Sequence, residues 1–281
     1  MSEKTISLQA PAKINLSLRV LGKRDDGYHD IDTLMTRVSG LYDVITLTEA
    51  KSFSFICETP GVPTDDTNLV VKATKVFEKL SKKKCKATVT LEKNIPHGAG
   101  LGGGSSDAAS TLLALNQWHN EVLSHEKLLE AAASIGSDVP FFLGSSTARC
   151  TGRGEILTTM ADIPKTPIVI FKPAFSVSTP DAYKRWQDAT ALPGVNYDPI
   201  DFPWAALVND LEKPVFGKFL FLAELKNWLN SRPEVRAAMM SGSGSAMFAI
   251  LSDESLAEAL IQTVRDRLDP VVWAWSGVIG G

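Results

Sequence analysis

The chain is poor in cysteine, with three in 281 residues, and Cys57, Cys85 and Cys150 stand far apart. That odd, scattered set rules against a disulfide scaffold, shows no metal-type spacing and suits a reducing compartment. No apolar run approaches the roughly 18 residues that a membrane-spanning helix needs, so a membrane role is not expected. Neither sign of charge dominates. The 29 Lys and Arg face 32 Asp and Glu, a net charge of −3, and without a broad basic field a nucleic-acid partner is not expected. Internal repeats and low-complexity tails are absent. The opening Met-Ser-Glu-Lys-Thr leads straight into a strand pattern with no signal-peptide character. The expected location is the cytoplasm, or the plastid stroma if the source is a plant and a transit peptide has been removed. With 44% apolar and 22% charged residues, the composition is that of a globular protein with one large or two modest domains.

Hydrophobic periodicity mixes strands and helices without strict alternation, which predicts an α+β fold. Ile6 to Val20, Val44 to Thr48 and Phe53 to Ile56 read as strands. Asn68 to Leu80 reads as an amphipathic helix, with Lys82 to Lys84 as a solvated turn behind it. A second helix is expected to run to about Asn120, and a third from Ser124 to Ile135. Residues 147–160 suggest a hairpin around Gly152-Arg-Gly154. Thr166 to Phe171 is a strand that opens a second domain. Ser178-Thr-Pro-Asp caps a helix with Pro180 at its first position. Residues 193–216 read as irregular, Glu254 to Leu268 as a helix and Val271 to Trp275 as a last strand.

The most informative stretch is Pro96-His-Gly-Ala-Gly-Leu-Gly-Gly-Gly-Ser-Ser-Asp, set between a strand pattern (86–92) and a helix pattern (108–118). Five glycines within seven residues cost backbone entropy and clear Cβ atoms from a surface that a ligand can approach. The loop opens a helix, whose first turn carries free N–H donors and the positive end of the dipole. The combination is a phosphate cradle. Gly98-x-Gly100-x-x-Gly103 fits a dinucleotide fingerprint, but a further helix follows instead of a strand ending in a ribose-binding acid. A Walker A loop needs a Gly-Lys-Ser/Thr that is missing. The His-Arg-Asp and Asp-Phe-Gly segments of protein kinases are missing too.

The loop resembles the phosphate motif of the GHMP small-molecule kinases, Pro-x-x-x-Gly-Leu-Gly followed by small residues and serines. Supporting segments are Ala10-Pro-Ala-Lys-Ile-Asn-Leu-Ser, Asp26-Gly-Tyr-His, Gly136-Ser-Asp-Val-Pro-Phe-Phe and Met240-Ser-Gly-Ser-Gly-Ser. They spread from residue 10 to residue 250. Together they point to the branch of that family whose acceptor is a cytidine diphosphate-linked polyol. The resemblance implies two domains, 1–160 like ribosomal protein S5 domain 2 and 161–281 ferredoxin-like, with the active site in the cleft between them. It implies ATP as co-substrate, Mg²⁺ held mainly by phosphates and water, a cytidine diphosphate-linked polyol as acceptor, and a monomer or weak homodimer.

The same resemblance assigns roles residue by residue. Asp138 matches the catalytic aspartate, a base for the acceptor hydroxyl; on its residue type alone it reads as a helix N-cap. Lys13 matches an active-site lysine that keeps the base ionised and stabilises an emerging alkoxide. Strand alternation alone gives it a solvent-facing position. Asn15 shares its face two residues on. Tyr28 and His29 match a stacking ring and a hydrogen-bonding ring for cytosine, against ordinary packing after the Asp26-Gly27 turn. Tyr183 matches the ring on the other face of the base, and Thr179 is either a substrate contact or a helix cap. For ATP the matching positions are Asn68, Lys93, Pro96, Gly98, Gly100, Leu101, Gly102, Gly103, Gly104, Ser105 and Ser106. Asn68 read by itself is a cap or turn residue, and Lys93 a solvated strand end. Asp107 reads as a favourable carboxylate in the first turn of a helix. Residues 241–245 are expected to pack beside the first loop. No protein side chain is assigned to a metal, with Ser105 and Ser106 the nearest oxygen donors.

Three other functions stand beside this one. A mevalonate- or homoserine-type acceptor needs no base sandwich, which Asp26-Gly-Tyr-His and Tyr183 supply. A dead nucleotide sensor should have lost Lys13 or Asp138. A dinucleotide enzyme conflicts with the loop context.

Overall fold

The computed structural model describes residues 4–281, so the reading of Met1 to Glu3 lies outside the described residues. Two compact units emerge. One gathers the chain up to Ala12, Leu41–His97 and Gly102–Ser145; the other gathers Lys13–Gly40, Gly98–Leu101 and Ser146–Gly281. Two long strands, β1 (Thr5–Lys23) and β2 (His29–Glu49), contribute to both. The expected division at residue 160 follows chain order, whereas the units follow contacts.

In the first unit, β2 pairs antiparallel with β4 (Ala87–Glu92), from Val44 opposite Glu92 to Glu49 opposite Ala87, and β3 (Ser54–Ile56) pairs parallel with β4. Alternation buries Leu41, Ile45, Leu47, Val89 and Leu91 on inward positions. Helices α1 (Leu69–Ser81), α2 (Gly103–Trp118) and α3 (His125–Ile135) pack on one another. Asn68 caps α1 by accepting from the Val70 N–H, and Ser124 caps α3 by accepting from Lys127. Both helices begin one residue after the polar residue that was expected to open them, because that residue serves as the cap.

The second unit holds β5 (Thr147–Gly152) and β6 (Ile156–Thr159), a hairpin on β2 as expected. The remainder is β7 (Thr166–Lys172), α4 (Thr179–Trp186), β8 (Ile200–Phe202), β9 (Ala205–Asn209), α5 (Glu212–Phe216), α6 (Leu220–Asn230), β10 (Val235–Met240), β11 (Met247–Leu251), α7 (Ala257–Arg267) and β12 (Trp273–Ile279). The order β10-β11-β7-β12, all antiparallel, with α6 and α7 as crossovers, is the ferredoxin-like arrangement. Its core includes Val169, Phe171, Leu222, Leu225, Ala249 and Val264.

Sequence patterning missed several elements. Most of β2 before Val44 was not read as strand, because the buried polar residues Thr33, Thr36 and Asp43 break the apolar alternation. Residues 193–216 contain β8, β9 and α5; Pro193 and Pro203 hide their periodicity. Helix α6 was not anticipated. The helix at Ser178 begins at Thr179, one residue before Pro180.

Candidate active site

Two glycine segments meet inside the second unit. The Lys13 N–H donates to the Leu101 carbonyl at 2.9 Å, and Ala246 N–H donates to the Ala99 carbonyl at 3.0 Å. Ser241 Oγ donates to the Gly100 carbonyl at 3.0 Å and accepts from the Asn15 N–H at 3.3 Å. Residues 241–246 therefore grip Ala99 to Leu101, as the resemblance implies. Gly100 has φ +77°, and a side chain there would run into the backbone of Ser241 and Gly244. No other residue fits that approach. Asn209, which the sequence did not single out, donates to the carbonyls of Met240 and Gly242, both at 2.8 Å, and so fixes the second segment.

Beside these loops stands a polar relay. Lys13 Nζ donates to Asn15 Oδ1 at 2.5 Å, Asn15 Nδ2 donates to Thr33 Oγ1 at 2.8 Å, and Thr33 Oγ1 donates to the Ser17 carbonyl at 2.5 Å. Lys13 is 3% exposed, so the solvent-facing reading of this strand lysine is corrected. Burial is sustained because polar partners replace water around the group. A Cβ on Gly242 would lie 3.5 Å from Lys13 Nζ and 3.1 Å from Asn15 Oδ1, so the second glycine segment abuts the relay.

The aromatic residues also lie in this unit. His29 and Tyr183 have ring centroids 5.2 Å apart, and Trp186, not anticipated, meets His29 edge-on at 6.1 Å. Tyr28 is 54% exposed, with the Arg153 guanidinium 4.9 Å from its ring centroid. The reading of Tyr28 as a packed core ring is thereby set aside. Burial, aided by the Lys23 charge, holds the His29 imidazole below its ordinary pKa, so the neutral ring with one donor and one acceptor prevails at pH 7. Ser178, not Thr179, caps α4; Thr179 Oγ1 shares a hydrogen bond of 2.7 Å with Ser243 Oγ in the second glycine segment.

The first unit carries the helix that the loop opens. Gly102 is the N-cap of α2 with φ +72°, and the Ser106 N–H makes an early helical bond to the Gly102 carbonyl at 2.9 Å. The amides of residues 103–105 precede that bond and remain available, with the dipole aimed the same way. Ser106 is fully buried and its Oγ has no hydrogen-bond partner among the described residues. Amide donors, left-handed glycines and an orphaned hydroxyl are a donor set that fits an ATP phosphate with its Mg²⁺.

Beneath this turn lies an ion triad. Lys93 donates to Asp43 and, at 2.9 Å, to Asp107, and the three side chains are 6%, 0% and 4% exposed. Two expectations are corrected: Lys93 is not a solvated strand end, and Asp107 is not a simple first-turn carboxylate. Burial works against the Lys93 charge, but the two carboxylates outweigh it and raise its pKa. Burial pushes Asp107 up to about 8, against the pull of Lys93. Asp43 was missed. Its signal was an aspartate in phase with the buried Leu41, Ile45 and Leu47 of an alternating strand. Asn68, the cap of α1, also donates through Nδ2 to the Pro63 carbonyl at 2.7 Å. Asp138 lies half-buried in the turn after α3, and the N-cap of the following 3₁₀ turn, Pro140–Leu143, is Val139.

Gly104 offers a clean probe of the cradle. A Cβ there would meet only Leu69 Cδ1, at 3.6 Å, an ordinary contact. Gly104→Ala should keep or slightly raise the melting temperature, since alanine is favoured over glycine in a helix by up to about 1 kcal/mol. The resemblance places phosphate at this turn, so the new methyl group should raise the KM for ATP several-fold, to about tenfold. An unchanged KM for ATP would place the phosphates elsewhere.

Comparison with known proteins agrees with these features. The GHMP kinases N terminal domain model matches residues 68–146, and the GHMP kinases C terminal model matches residues 202–269. A 4-diphosphocytidyl-2-C-methyl-D-erythritol kinase from Methylacidiphilum infernorum is 43% identical, across 94% of this chain and 93% of its own. One from Protochlamydia amoebophila is 41% identical, across 88% and 84%. A crystal structure of 4-(cytidine 5'-diphospho)-2C-methyl-D-erythritol kinase superposes with a TM-score of 0.79 at 33% identity, covering 98% of this chain and all of that one. The homoserine kinase of Cytophaga hutchinsonii, TM-score 0.64 at 16% identity, shares the fold. The chain belongs to the GHMP kinases, ATP-dependent phosphotransferases, and within them to the family of 4-diphosphocytidyl-2-C-methyl-D-erythritol kinases. No helix among the described residues is long and apolar enough to cross a membrane.

Proposed function

We propose that this chain transfers the γ-phosphoryl group of ATP to the 2-hydroxyl of 4-diphosphocytidyl-2-C-methyl-D-erythritol, giving the 2-phosphate and ADP in the non-mevalonate route to isoprenoid precursors. The observation that carries the reading is the gripped glycine loop beside the Lys13–Asn15–Thr33 relay, in a chain 43% identical to a kinase of that name.

Phosphoryl transfer requires charge neutralisation, an aligned hydroxyl and a destination for its proton. The proposed roles divide accordingly. Asp138 accepts the proton of the attacking hydroxyl. Lys13, oriented by Asn15, stabilises the oxygen as it loses that proton. The amides at the start of α2 and the loop residues Pro96, Gly98, Gly100, Leu101, Gly102, Gly103 and Gly104 hold the phosphates. Mg²⁺ neutralises phosphate charge when bound, held mainly by phosphates and water with the hydroxyls of Ser105 and Ser106 nearest. Asn68 serves the adenosine end, and Lys93, proposed for the same end, acts from its buried ion pairs with Asp43 and Asp107. Tyr28, His29 and Tyr183 hold the cytosine, and Thr179 orients the polyol side. The reaction is assigned to the cytoplasm, by a monomer or weak homodimer.

The test is ADP release with ATP, Mg²⁺ and one acceptor at a time. Release is expected with the cytidine diphosphate-linked methylerythritol and not with mevalonate or homoserine. Turnover of mevalonate or homoserine, with none of the cytidine compound, would overturn the assignment.

A further inference from the structure

The loop that carries the phosphate motif has two stems, and one side chain holds both. Asp43 is fully buried at an inward position of β2. Its Oδ1 accepts the N–H groups of Asn94 at 2.6 Å and Ile95 at 2.8 Å, the residues that lead from β4 into the loop. Asn94 Nδ2 adds a bond of 2.9 Å to the Tyr42 carbonyl. The Oδ2 atom of Asp43 accepts from Lys93, which in turn donates to Asp107 on the first turns of α2. Gly103, at the start of that helix, lies against the same group: a Cβ there would sit 3.0 Å from Lys93 Nζ and 3.3 Å from Asp43 Oδ2. Residues 96–102 span the gap between these stems.

We propose that Asp43 is a positioning residue for ATP, acting through Lys93 and Asp107 to fix the spacing of the loop's two stems and so the direction of the phosphate-binding amides. The proposal rests on the reading of residues 96–106 as the phosphate site. Stability by itself does not call for this arrangement. Burying a lysine between two carboxyl groups is expensive, and apolar replacements of buried ion pairs are often neutral or stabilising. Such a triad does impose fixed distances, because both oxygens of Asp43 have defined donors and Lys93 ties Asp43 to Oδ2 of Asp107. Preorganised donors help phosphoryl transfer in proportion to how well they are held.

The experiment measures binding of a non-hydrolysable ATP analogue by calorimetry, alongside steady-state kinetics with the acceptor varied. Asp43→Asn retains an oxygen for the two amides and removes the charge that faces Lys93. It should weaken the analogue by about tenfold and leave the acceptor KM within about twofold. In a Lys93→Met background, Asp43→Asn should add less than about twofold, since both residues act through one group. Asp43→Glu, which keeps the charge, should recover part of the loss. Wild-type affinity in a folded Asp43→Asn protein, or effects of the two substitutions that simply multiply, would overturn the proposal. If Asp43→Asn does not fold, the Asp43→Asn/Lys93→Met pair carries the test, and wild-type affinity there overturns it equally. If neither folds, the triad is a folding requirement and the positioning role falls. Absence of analogue binding by the wild-type protein would instead refute the phosphate-site reading.

Discussion

Asp138→Asn is expected to lower kcat by about 10²-fold or more, the usual scale for loss of a general base, while the KM for each substrate stays near its wild-type value. The substitution is isosteric, so the turn around it should survive. That turn is pinned by the buried Val139, Pro140, Phe141 and Phe142, which bear its packing whether residue 138 is acid or amide. An amide cannot take up the proton of the attacking hydroxyl. A group that acts only as transfer proceeds changes kcat and kcat/KM together and leaves ground-state binding alone. The corresponding loss in transition-state stabilisation is about 2.7 kcal/mol. Single-turnover rates with saturating ATP and acceptor give the number directly. A fall of less than about threefold, in protein with unchanged circular dichroism, would remove Asp138 from the role of base.

Replacing the rings of the proposed cytosine pocket should act on the other parameter. Base–aromatic stacking contributes about 1–3 kcal/mol per ring, so Tyr28→Ala and Tyr183→Ala should each raise the acceptor KM by roughly five- to 150-fold. The KM for ATP should hardly move. Tyr28, more than half exposed, has little packing to lose. Tyr183 stands beside His29, so its loss also frees the imidazole, and its effect should be the larger. His29→Ala should narrow the preference for CDP over UDP as competitors, because the pairing edges of cytosine and uracil differ in donors and acceptors. The sign of the pH dependence follows from the lowered pKa of His29. The ring stays neutral down to a pH below its ordinary 6.5, and acceptor binding weakens only as pH falls through that lowered value and the acceptor nitrogen is protonated. In His29→Ala this acid limb should vanish. Unchanged acceptor KM in both tyrosine variants, with no inhibition by either nucleotide, would exclude a cytidine pocket.

Much of the chemistry was legible because it depends on residue types at fixed local spacing. The glycine loop, the strand before it and the helix after it are neighbours in sequence, and backbone rules alone tie them to phosphate. The cap readings at Asn68 and Ser178 were equally local. The second glycine segment could be found as a motif, but its grip on Ala99 to Leu101 spans some 140 residues of chain, and no local pattern records which carbonyl receives Ser241. Lys13 and Lys93 were misjudged when read alone for one reason. A lysine in or beside a strand is a solvated group unless carboxylates, amides or carbonyls fill its shell, and those partners come from Asn15 in one case and from Asp43 and Asp107 in the other.

By itself the sequence determined the α+β class, the caps at Asn68 and Ser178, the glycine loop opening a helix and the family, since each rests on short-range periodicity, backbone freedom or recognisable residue strings. Only the tertiary structure decided that Lys93 is buried between Asp43 and Asp107, that Thr179 turns to Ser243, and that residues 193–216 hold strands and a helix. It also decided that β1 and β2 each contribute residues to both compact units. These outcomes depend on which distant groups replace water around a buried polar atom, and that free energy is set by three-dimensional neighbours.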